Sequence, residues 1–473
     1  MILLADIIEA LSGVRPPHAS LVISEAAVDS RQVIPGGLFI ALPGERVDGH
    51  DFVEEAFRKG ASLALVQKDI SVHCPTIDFE RAHFSLETTL PRPPFCIRVE
   101  DTLLALQQIA RFWRAKLNLR VVGITGSVGK STTKELVAGV LSQHYRTLKN
   151  IGNLNNEIGL PLTILRLGPG HQRAVLEMGF YVPGEIALLC DIAKPQVGIV
   201  TNIGTVHAER AGSIEAIARG KSELVQALPP APIGTAILNY DDDLVRPMAE
   251  LTQARIFYYG LDPKADLWAD EIESLGLEGI RFKLHYRKES IQLRAPLIGQ
   301  HSVHTALRAA AVGLVEGLTW QEIVSGLQKG HTQLRLVTVR TKSGALLLDD
   351  TYNASPESTM AALNLLAELE GRKIAVLGDM LELGQYEEKG HHMVGVRAAQ
   401  VCNELIAIGE RSKMIVSGAK TTGMRASRIT WVADVPEAIE LLKNKLKAGD
   451  VVLLKGSHGL HMERIAAALE AES

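Results

Sequence analysis

The chain has 473 residues, of which 22% are charged, and its formal net charge is -4 at pH 7. At about 150 residues per domain, this length predicts roughly three domains, each large enough to bury its own apolar core. The nearly balanced charge argues against a protein that binds nucleic acid or a membrane surface through bulk electrostatics, and it favours small-molecule chemistry.

The cysteines and the apolar runs indicate the compartment. The four cysteines lie far apart and form no C-x-x-C pair, which favours reduced thiols in a cytoplasmic protein. Residues 1–14 lack the basic start and the cleavage site of a signal peptide. Because no stretch approaches about 18 uninterrupted apolar residues, we expect no integral membrane segment.

The first predicted elements divide the chain near residue 98. Residues 1–98 contain short strands and turns and close with a proline-rich stretch, which is typical of a domain edge. Apolar residues at helical spacing predict a helix over 101–117. The strand Arg120–Thr125, a glycine loop and a helix from Ser131 follow, and they begin an α/β domain that we expect to span 99–332.

Further apolar runs bounded by turns predict four more strands in this domain, at 174–178, 197–202, 236–239 and 256–259. Because helical stretches separate several of them, we expect a parallel sheet with ligands at the carboxyl ends of its strands. A second boundary is predicted at 331–334.

Residues 333–473 are predicted to form a third, Rossmann-like α/β domain. The segments 335–340 and 345–349 can pair as a hairpin. Four later runs alternate with helices, at 373–377, 405–408, 429–432 and 451–454.

The most specific local motif is the glycine turn between the first central strand and its helix. Backbone N–H groups in such a turn face phosphate oxygens, and the N-terminus of a helix favours negative charge. Lys130 adds a cation, and Ser131 can offer a hydroxyl to Mg²⁺. The loop is shorter than the standard pattern GxxxxGK[ST]. The expected nucleotide-binding residues are consecutive: Thr125, Gly126, Ser127, Val128, Gly129, Lys130, Ser131 and Thr132.

An acidic residue is expected near this loop because Mg²⁺ prefers carboxylate and water oxygens. Glu177 ends a neighbouring apolar strand, and His207 follows another strand that reaches the same edge of the sheet. From the residue pattern alone, a solvated strand end for Glu177 and a structural role for His207 stay open. The same pattern predicts that Lys221 is a solvated lysine on a helix.

Taken together, these motifs resemble the Mur ligase family of cell-wall synthesis. The resemblance rests on the shortened loop, residues 153–161, Glu177, His207, Lys221 and the run Gly299-Gln300-His301.

For the central domain, the resemblance implies a site for ATP and two Mg²⁺ ions. Lys130 would contact the β and γ phosphates, and Ser131 with Glu177 would hold one Mg²⁺. His207 and a carbamylated Lys221 would hold the second. His301 would help to bind the nucleotide.

Two stretches depart from the family pattern. Where the family usually has asparagines after His301, this chain has Ser302 and Thr305, which keep hydrogen-bonding capacity. His458 stands where the family commonly has arginine, and this position bears on substrate contacts in the C-terminal domain. We expect an active enzyme despite these changes.

The two ends of the chain resemble particular members of the family. Residues 29–39 and 44–52 resemble a domain that binds a UDP-linked substrate, so Ser30 and Arg31 are expected to bind it. Three C-terminal motifs resemble the member that adds D-alanyl-D-alanine to UDP-N-acetylmuramoyl-tripeptide: 349–358, 377–384 and 455–460.

For the C-terminal domain, the resemblance implies that Arg335 contacts a nucleotide phosphate after domain closure. Asp349 or Asp350 would contact the nucleoside, and Asn353 the incoming dipeptide or the nucleotide. The implied reaction is ATP-dependent joining of a carboxylate to an amine through an acyl phosphate, with ADP and phosphate as products. The implied protein is a cytoplasmic monomer.

Two alternatives stay open. A related ligase could use another acceptor, as the diamino-acid-adding ligase and the folylpolyglutamate-type ligases do. Residues 48–50 argue against the folylpolyglutamate type, and 379–382 argue against both. The altered run 302–305 is the main sequence feature that favours a nucleotide-binding relative without turnover.

Overall fold

Three β-sheets, each flanked by helices, organise the protein. The computed structural model describes residues 2–44, 46–70, 74–79, 84–85, 88–329 and 337–470. The predicted boundary at 331–334, Arg335 and residue 45 lie outside the described residues. Within the described part of the chain, the three-domain α/β architecture is confirmed, while the exact domain limits stay predictions.

The N-terminal sheet has five parallel strands in the order β1-β2-β3-β5-β4. They are β1 (Ala26–Ala27), β2 (Leu38–Ile40), β3 (Leu63–Val66), β4 (Thr76–Asp78) and β5 (Phe95–Arg98). The accompanying helices are α1 (Leu4–Ser12), α2 (Val53–Arg58) and α3 (Thr102–Lys116). The side chain of Asp101 caps α3 by accepting a hydrogen bond from the backbone of Leu104, which fixes the start of the predicted helix.

The central sheet has nine strands in the order β14-β13-β12-β11-β10-β9-β6-β8-β7. Its strands are β6 (Arg120–Thr125), β7 (Thr147–Lys149), β8 (Arg173–Glu177), β9 (Val197–Val200), β10 (Thr235–Asn239), β11 (Arg255–Gly260), β12 (Leu267–Ser274), β13 (Ile280–Tyr286) and β14 (Glu289–Ala295). Its helices are α4 (Lys130–Leu141), α5 (Gly159–Leu165), α6 (Glu185–Ala193), α7 (Ala208–Ala211), α8 (Ile214–Gln226), α9 (Val303–Val315) and α10 (Trp320–Lys329).

The prediction of a parallel central sheet is correct only for part of it. Strands β6 to β12 pair in parallel, but β12, β13 and β14 pair antiparallel. Only Arg287 and Lys288 connect β13 to β14, and Arg287 has a φ of 54°. A two-residue turn of this kind joins antiparallel neighbours, whereas parallel neighbours need a longer crossover.

The C-terminal sheet has six strands in the order β15-β16-β20-β17-β18-β19. They are β15 (Val337–Arg340), β16 (Leu346–Asp349), β17 (Arg372–Gly378), β18 (Glu404–Ile408), β19 (Ile429–Val432) and β20 (Asp450–Lys455). The helices are α11 (Pro356–Glu368), α12 (Glu387–Val401), α13 (Lys413–Thr421), α14 (Val435–Lys445) and α15 (Glu463–Leu469). Strands β15 and β16 form the predicted hairpin, and the other neighbours pair in parallel.

The cores explain how the sheets are held. One apolar cluster extends from the N-terminal sheet through α3 to one face of the central sheet, and a second covers the opposite central face. The buried indole of Trp113 donates to the carbonyl of Leu167 at 2.8 Å, which ties α3 to the segment that follows α5. Two further clusters cover the two faces of the C-terminal sheet. Across the described ranges, no helix is long and apolar enough to span a membrane.

Candidate active site

A cavity of about 650 Å³ lies between the central and C-terminal domains. The loop after β6, the ends of β8 and β9, the start of α9 and the start of α11 line it. It brings together most of the residues that the sequence predicted: Ser127, Val128, Gly129, Lys130, Ser131, Thr132, Glu177, His207, His301, Asp350 and Asn353. This cavity is the candidate active site.

The phosphate loop contains two glycines whose backbone conformation other residues rarely adopt. Gly126 has a φ of 143°, and a Cβ added there would overlap the hydroxyl of Thr201. Gly129 has a φ of 83° and directly precedes α4, so the N-terminus of this helix faces the cavity. The Lys130 ammonium donates to the carbonyl of Gly126 at 2.8 Å, and the Thr125 hydroxyl anchors the loop to the carbonyl of Met178.

Asn202 holds the loop in place, and the sequence analysis assigned it no role. Its backbone carbonyl accepts from the Ser127 N–H at 3.0 Å, and its side-chain oxygen accepts from the Val128 N–H at 2.9 Å. Its side-chain amide donates to the carbonyl of Val128. These two loop N–H groups are therefore engaged within the protein, and the start of α4 is the part of the loop oriented for an anion.

Glu177 is a buried carboxylate, so a solvated strand end is wrong for it. The residue ends β8 with 1% exposure, and its Oε1 accepts from the Asn155 amide at 2.9 Å. Its Oε2 lies 3.6 Å from the Lys134 ammonium and has no hydrogen-bond partner. A buried oxygen with unused acceptor capacity fits a Mg²⁺ ligand.

His207 lies at the contact between two domains. It has a φ of 65°, and its Nδ1 lies 2.6 Å from Oε2 of Glu382. Burial lowers the pKa of His207, while the Glu382 carboxylate acts in the opposite direction. Because Glu382 engages Nδ1, the imidazole is held in one orientation. Its Nε2 is then the atom that could bind a metal ion.

Lys221 is buried on α8, so the sequence pattern's prediction of a solvated lysine is wrong. Its side chain is 1% exposed, and its Nζ donates to the carbonyl of Gly126 at 3.0 Å. Burial, together with the nearby charge of Lys130, lowers the pKa of Lys221 well below its ordinary value. The amine is therefore held directly behind the phosphate loop in a setting that favours its neutral form.

The metal-ligating capacity of the site is partial. Among the described residues, no group of three or more His, Cys, Asp or Glu side chains could hold a metal by itself. Mg²⁺ at nucleotide sites uses one or two carboxylates together with phosphate oxygens and water. Glu177 with the Ser131 hydroxyl, and separately His207, therefore fit ions that a nucleotide helps to hold.

The C-terminal wall of the cavity contains an ion pair between a buried lysine and a half-buried aspartate. The Lys455 ammonium lies 2.6 Å from the Asp350 carboxylate and donates to the carbonyl of Asn353 at 3.0 Å. Asp349 instead accepts from the backbone and hydroxyl of Thr351 and does not line the cavity. Of the two aspartates predicted at the nucleoside, the structure brings only Asp350 to the cavity.

Glu357 forms a second contact between the domains. Its Oε1 accepts from the backbone and the hydroxyl of Thr205, at 2.9 and 3.0 Å. Its Oε2 is buried without a hydrogen-bond partner. Near it, the backbone N–H of Glu209 donates to the carbonyl of Glu382 at 3.1 Å. The central and C-terminal domains are therefore in direct contact at the edge of the cavity.

The residues that depart from the family pattern have local partners. The Ser302 hydroxyl donates to the carbonyl of Ile298 at 2.7 Å, and the Thr305 hydroxyl accepts from Arg308 at 2.9 Å. Both residues line the cavity. The ring of His458 is exposed and lies 6.1 Å from that of Tyr352.

The predicted substrate residues of the N-terminal domain do not line the cavity. The Ser30 hydroxyl donates to Glu55 at 3.0 Å. The exposed Arg31 guanidinium lies 2.8 Å from the Asp29 carboxylate. Both side chains already have partners within the protein.

Comparisons with known proteins add to this geometry. Three family models match the chain: the Mur ligase family, catalytic domain at 22–114, the Mur ligase middle domain at 124–313, and the Mur ligase, glutamate ligase domain at 334–458. A UDP-N-acetylmuramoyl-tripeptide--D-alanyl-D-alanine ligase from Synechocystis is 37% identical, covering 95% of this chain and 93% of that protein. The Bacillus subtilis protein of the same name is 35% identical, covering 95% and 94%.

Solved structures of MurF also match nearly the whole chain. MurF from Acinetobacter baumannii matches with a TM-score of 0.83 and 32% identity, covering 98% of this chain and 97% of that one. The MurF ligase from Thermotoga maritima in complex with ADP matches with a TM-score of 0.77 and 27% identity, covering 94% and 96%. A folylpolyglutamate synthase from Mycobacterium tuberculosis shares only the fold, at 14% identity.

Proposed function

The chain belongs to the Mur ligase family, and on that premise we propose that it uses ATP to join D-alanyl-D-alanine to UDP-N-acetylmuramoyl-tripeptide. The observation that carries this proposal is the 37% identity to an enzyme of that name along 95% of the chain. The cavity supports it, because Lys130, Glu177 and His207 converge there.

The first step activates a poor electrophile. The terminal carboxylate of the tripeptide attacks the γ-phosphate of ATP in line, which releases ADP and leaves an acyl phosphate. Lys130, at the start of α4, offsets negative charge on the transferring group. When bound, Mg²⁺ supplies further positive charge at the same group. Ser131 and Glu177 would hold one Mg²⁺ ion, and His207 with Lys221 would hold the other.

Lys221 would act as a carbamate. A neutral amine adds to CO₂ to form a carbamate and one proton, so the lysine gains a carboxylate-like pair of oxygens suited to Mg²⁺. Burial supports this assignment, because it lowers the pKa of the Lys221 ammonium and so favours the neutral amine that reacts with CO₂. Its Nζ contacts the carbonyl of Gly126, so a carbamate on Lys221 would lie next to the phosphate loop.

The second step forms the amide bond. The amine of D-alanyl-D-alanine attacks the acyl carbon, a tetrahedral intermediate forms, and inorganic phosphate leaves as the carbonyl is restored. Asn353, on the C-terminal wall, would contact the incoming dipeptide or the nucleotide, and Asp350 the nucleoside. Contact between the domains at Glu357 and Glu382 would exclude water from the acyl phosphate.

Four further residues would contact the nucleotide or the UDP-linked substrate. His301, which lines the cavity, would help to hold the nucleotide, and Arg335 would contact one of its phosphates. Ser30 and Arg31 would bind the UDP portion of the substrate in the N-terminal domain. We expect a monomer that works in the cytoplasm.

The test is phosphate release from ATP with UDP-N-acetylmuramoyl-tripeptide, with and without D-alanyl-D-alanine, in the presence of Mg²⁺ and bicarbonate. We expect sustained release only when both substrates are present. The matched control replaces the dipeptide by a single amino acid, such as glutamate. Release with another acceptor, and none with D-alanyl-D-alanine, would contradict the proposed acceptor but leave the ligase chemistry in place.

A further inference from the structure

Arg308 is a buried cation that none of the steps above uses. It lies on α9, is 4% exposed and lines the cavity. Its Nε donates to the carbonyl of His304 at 3.0 Å, and its Nη2 donates to the Thr305 hydroxyl at 2.9 Å. The guanidinium carbon lies 5.9 Å from the ring centre of Tyr259. None of these partners carries a negative charge that would balance the arginine.

Two other arginines of this protein, the half-buried Arg173 and the buried Arg114, are compensated differently. Arg173 forms an ion pair with the buried Glu316 at 2.6 Å. Arg114, which is 5% exposed, distributes its guanidinium over the carbonyls of Ala193, Leu117 and Leu119 and lines no part of the cavity. Arg114 is therefore satisfied as a structural cross-link between chain segments.

Arg308 has neither a carboxylate partner nor a set of carbonyl acceptors like that of Arg114. Two of its hydrogen bonds are to its own helix, a further one is with the neutral Tyr259 side chain, and within the described part of the chain no carboxylate lies within ion-pair distance of it. Burying a charge without a counter-charge costs several kcal/mol, so such a group persists where a ligand can supply the missing charge.

The position of the guanidinium indicates which ligand supplies that charge. Its Nη2 and Nη1 atoms lie 3.5 and 3.6 Å from the point that a Cβ on Gly129 would occupy. Gly129 precedes the first turn of α4, whose N-terminus favours an anion. Arg308 therefore lies against the phosphate loop at Gly129, whereas Lys221 contacts the loop at Gly126. A planar guanidinium presents paired donors that match the oxygens of a phosphate.

We propose that Arg308 binds a nucleotide phosphate, and that this phosphate is one that ADP retains after the γ-phosphate has been transferred. Arg308 is a binding residue that adds to Lys130 and holds the nucleotide in both the ATP and the ADP states. The proposal takes from the proposed function only that ATP is the nucleotide, and it is independent of the acceptor.

The experiment compares Arg308→Met with Arg114→Met, since both replace a buried guanidinium by an apolar side chain of similar length. Calorimetric titration with Mg-ADP and with adenosine measures the phosphate-dependent part of the affinity. For Arg308→Met we expect ADP affinity to fall about ten- to a hundredfold, as for loss of a charged hydrogen bond, while adenosine affinity is unchanged.

Thermal unfolding without nucleotide provides the second readout. Arg308→Met should keep or raise the wild-type midpoint, because it removes a buried charge that the protein itself does not compensate. Arg114→Met should lower the midpoint, because it leaves three buried carbonyls without their donor, and its ADP affinity should match the wild type. A purely structural arginine at 308 would behave like Arg114.

Two results would overturn the proposal: unchanged ADP affinity in Arg308→Met, or equal weakening of ADP and adenosine. If Arg308→Met does not fold, Arg308→Lys decides, because it keeps the charge and loses the paired donors. We then expect ADP affinity to fall several-fold, because the paired donors are lost while the charge is kept, with adenosine affinity unchanged. Wild-type ADP affinity in Arg308→Lys would overturn the proposal. Since no acceptor is present, these results do not depend on the outcome of the ligase assay.

Discussion

The cavity and the predicted UDP-binding segment differ in how they compensate charge. In the cavity region, Lys221 and Arg308 are buried without a counter-charge from the described protein, and Glu177 keeps an oxygen without a hydrogen bond. In the N-terminal domain, Ser30 and Arg31 are paired with nearby carboxylates, and Arg31 is exposed.

This difference shows which kinds of side chain indicate a bound ligand. A buried group without a partner is costly, so its presence indicates a ligand that completes it. A paired surface group costs little and gives no such indication. The site for ATP can therefore be argued from energetics, while the roles of Ser30 and Arg31 rest on resemblance alone.

The largest expected effect comes from Lys130→Ala, which removes the cation at the start of α4. We expect turnover in the phosphate-release assay to fall by at least about a hundredfold, because Lys130 stabilises charge that develops on the transferring phosphoryl group. Lys194→Ala, which changes an exposed lysine paired with Asp191, is the matched control and should keep wild-type turnover. Near-normal ATP consumption by Lys130→Ala would sink this assignment.

Lys221→Ala tests whether a buried, uncompensated amine is a modification site. We expect turnover to fall by about ten- to a hundredfold through the lost metal ligand, and short carboxylates such as acetate to restore part of it. The alanine variant leaves a space where a free carboxylate can replace the carbamate. If rescue fails, and crystals of the wild type grown with bicarbonate show no carbamate on Lys221, carbamylation should be abandoned.

The smallest effect is expected from Arg31→Ala, because Arg31 is exposed and already paired with Asp29. We expect the KM for UDP-N-acetylmuramoyl-tripeptide to rise about tenfold or less with kcat unchanged, because an exposed contact contributes equally to substrate and transition state. Arg58→Ala, which alters another exposed arginine of the same domain, should change neither value. An unchanged KM in Arg31→Ala would remove this residue from the substrate site.

Most strands could be predicted because they are apolar runs buried on both faces of a sheet. β6, β9, β17, β18 and β20 agree with their predicted positions within a few residues, and so does β19, although it is only partly buried. The antiparallel strands β12 to β14 were missed because the predicted strands are continuous apolar runs, whereas these three alternate between buried and more exposed residues. The turn at Arg287 and Lys288 also lacks the glycine or asparagine that usually marks a hairpin.

The candidate site was predictable where its residues follow each other in the chain and less so where they come from distant segments. The phosphate loop is one continuous motif. Asn202 contacts that loop from 74 residues away, and Glu357 reaches Thr205 from 152 residues away, so neither contact leaves a local pattern. The burial of Lys221 likewise depends on how α8 packs behind the loop, which helical spacing alone does not determine.

The crowding at Gly126 has a consequence for inhibitor resistance. Its φ of 143° disfavours any side chain, and the hydroxyl of Thr201 occupies the space that a Cβ would need. Any substitution there must therefore distort the loop on which Lys130 depends. A compound that gains its affinity from the backbone around Gly126 would contact a surface that a single mutation could not reshape without also impairing ATP binding.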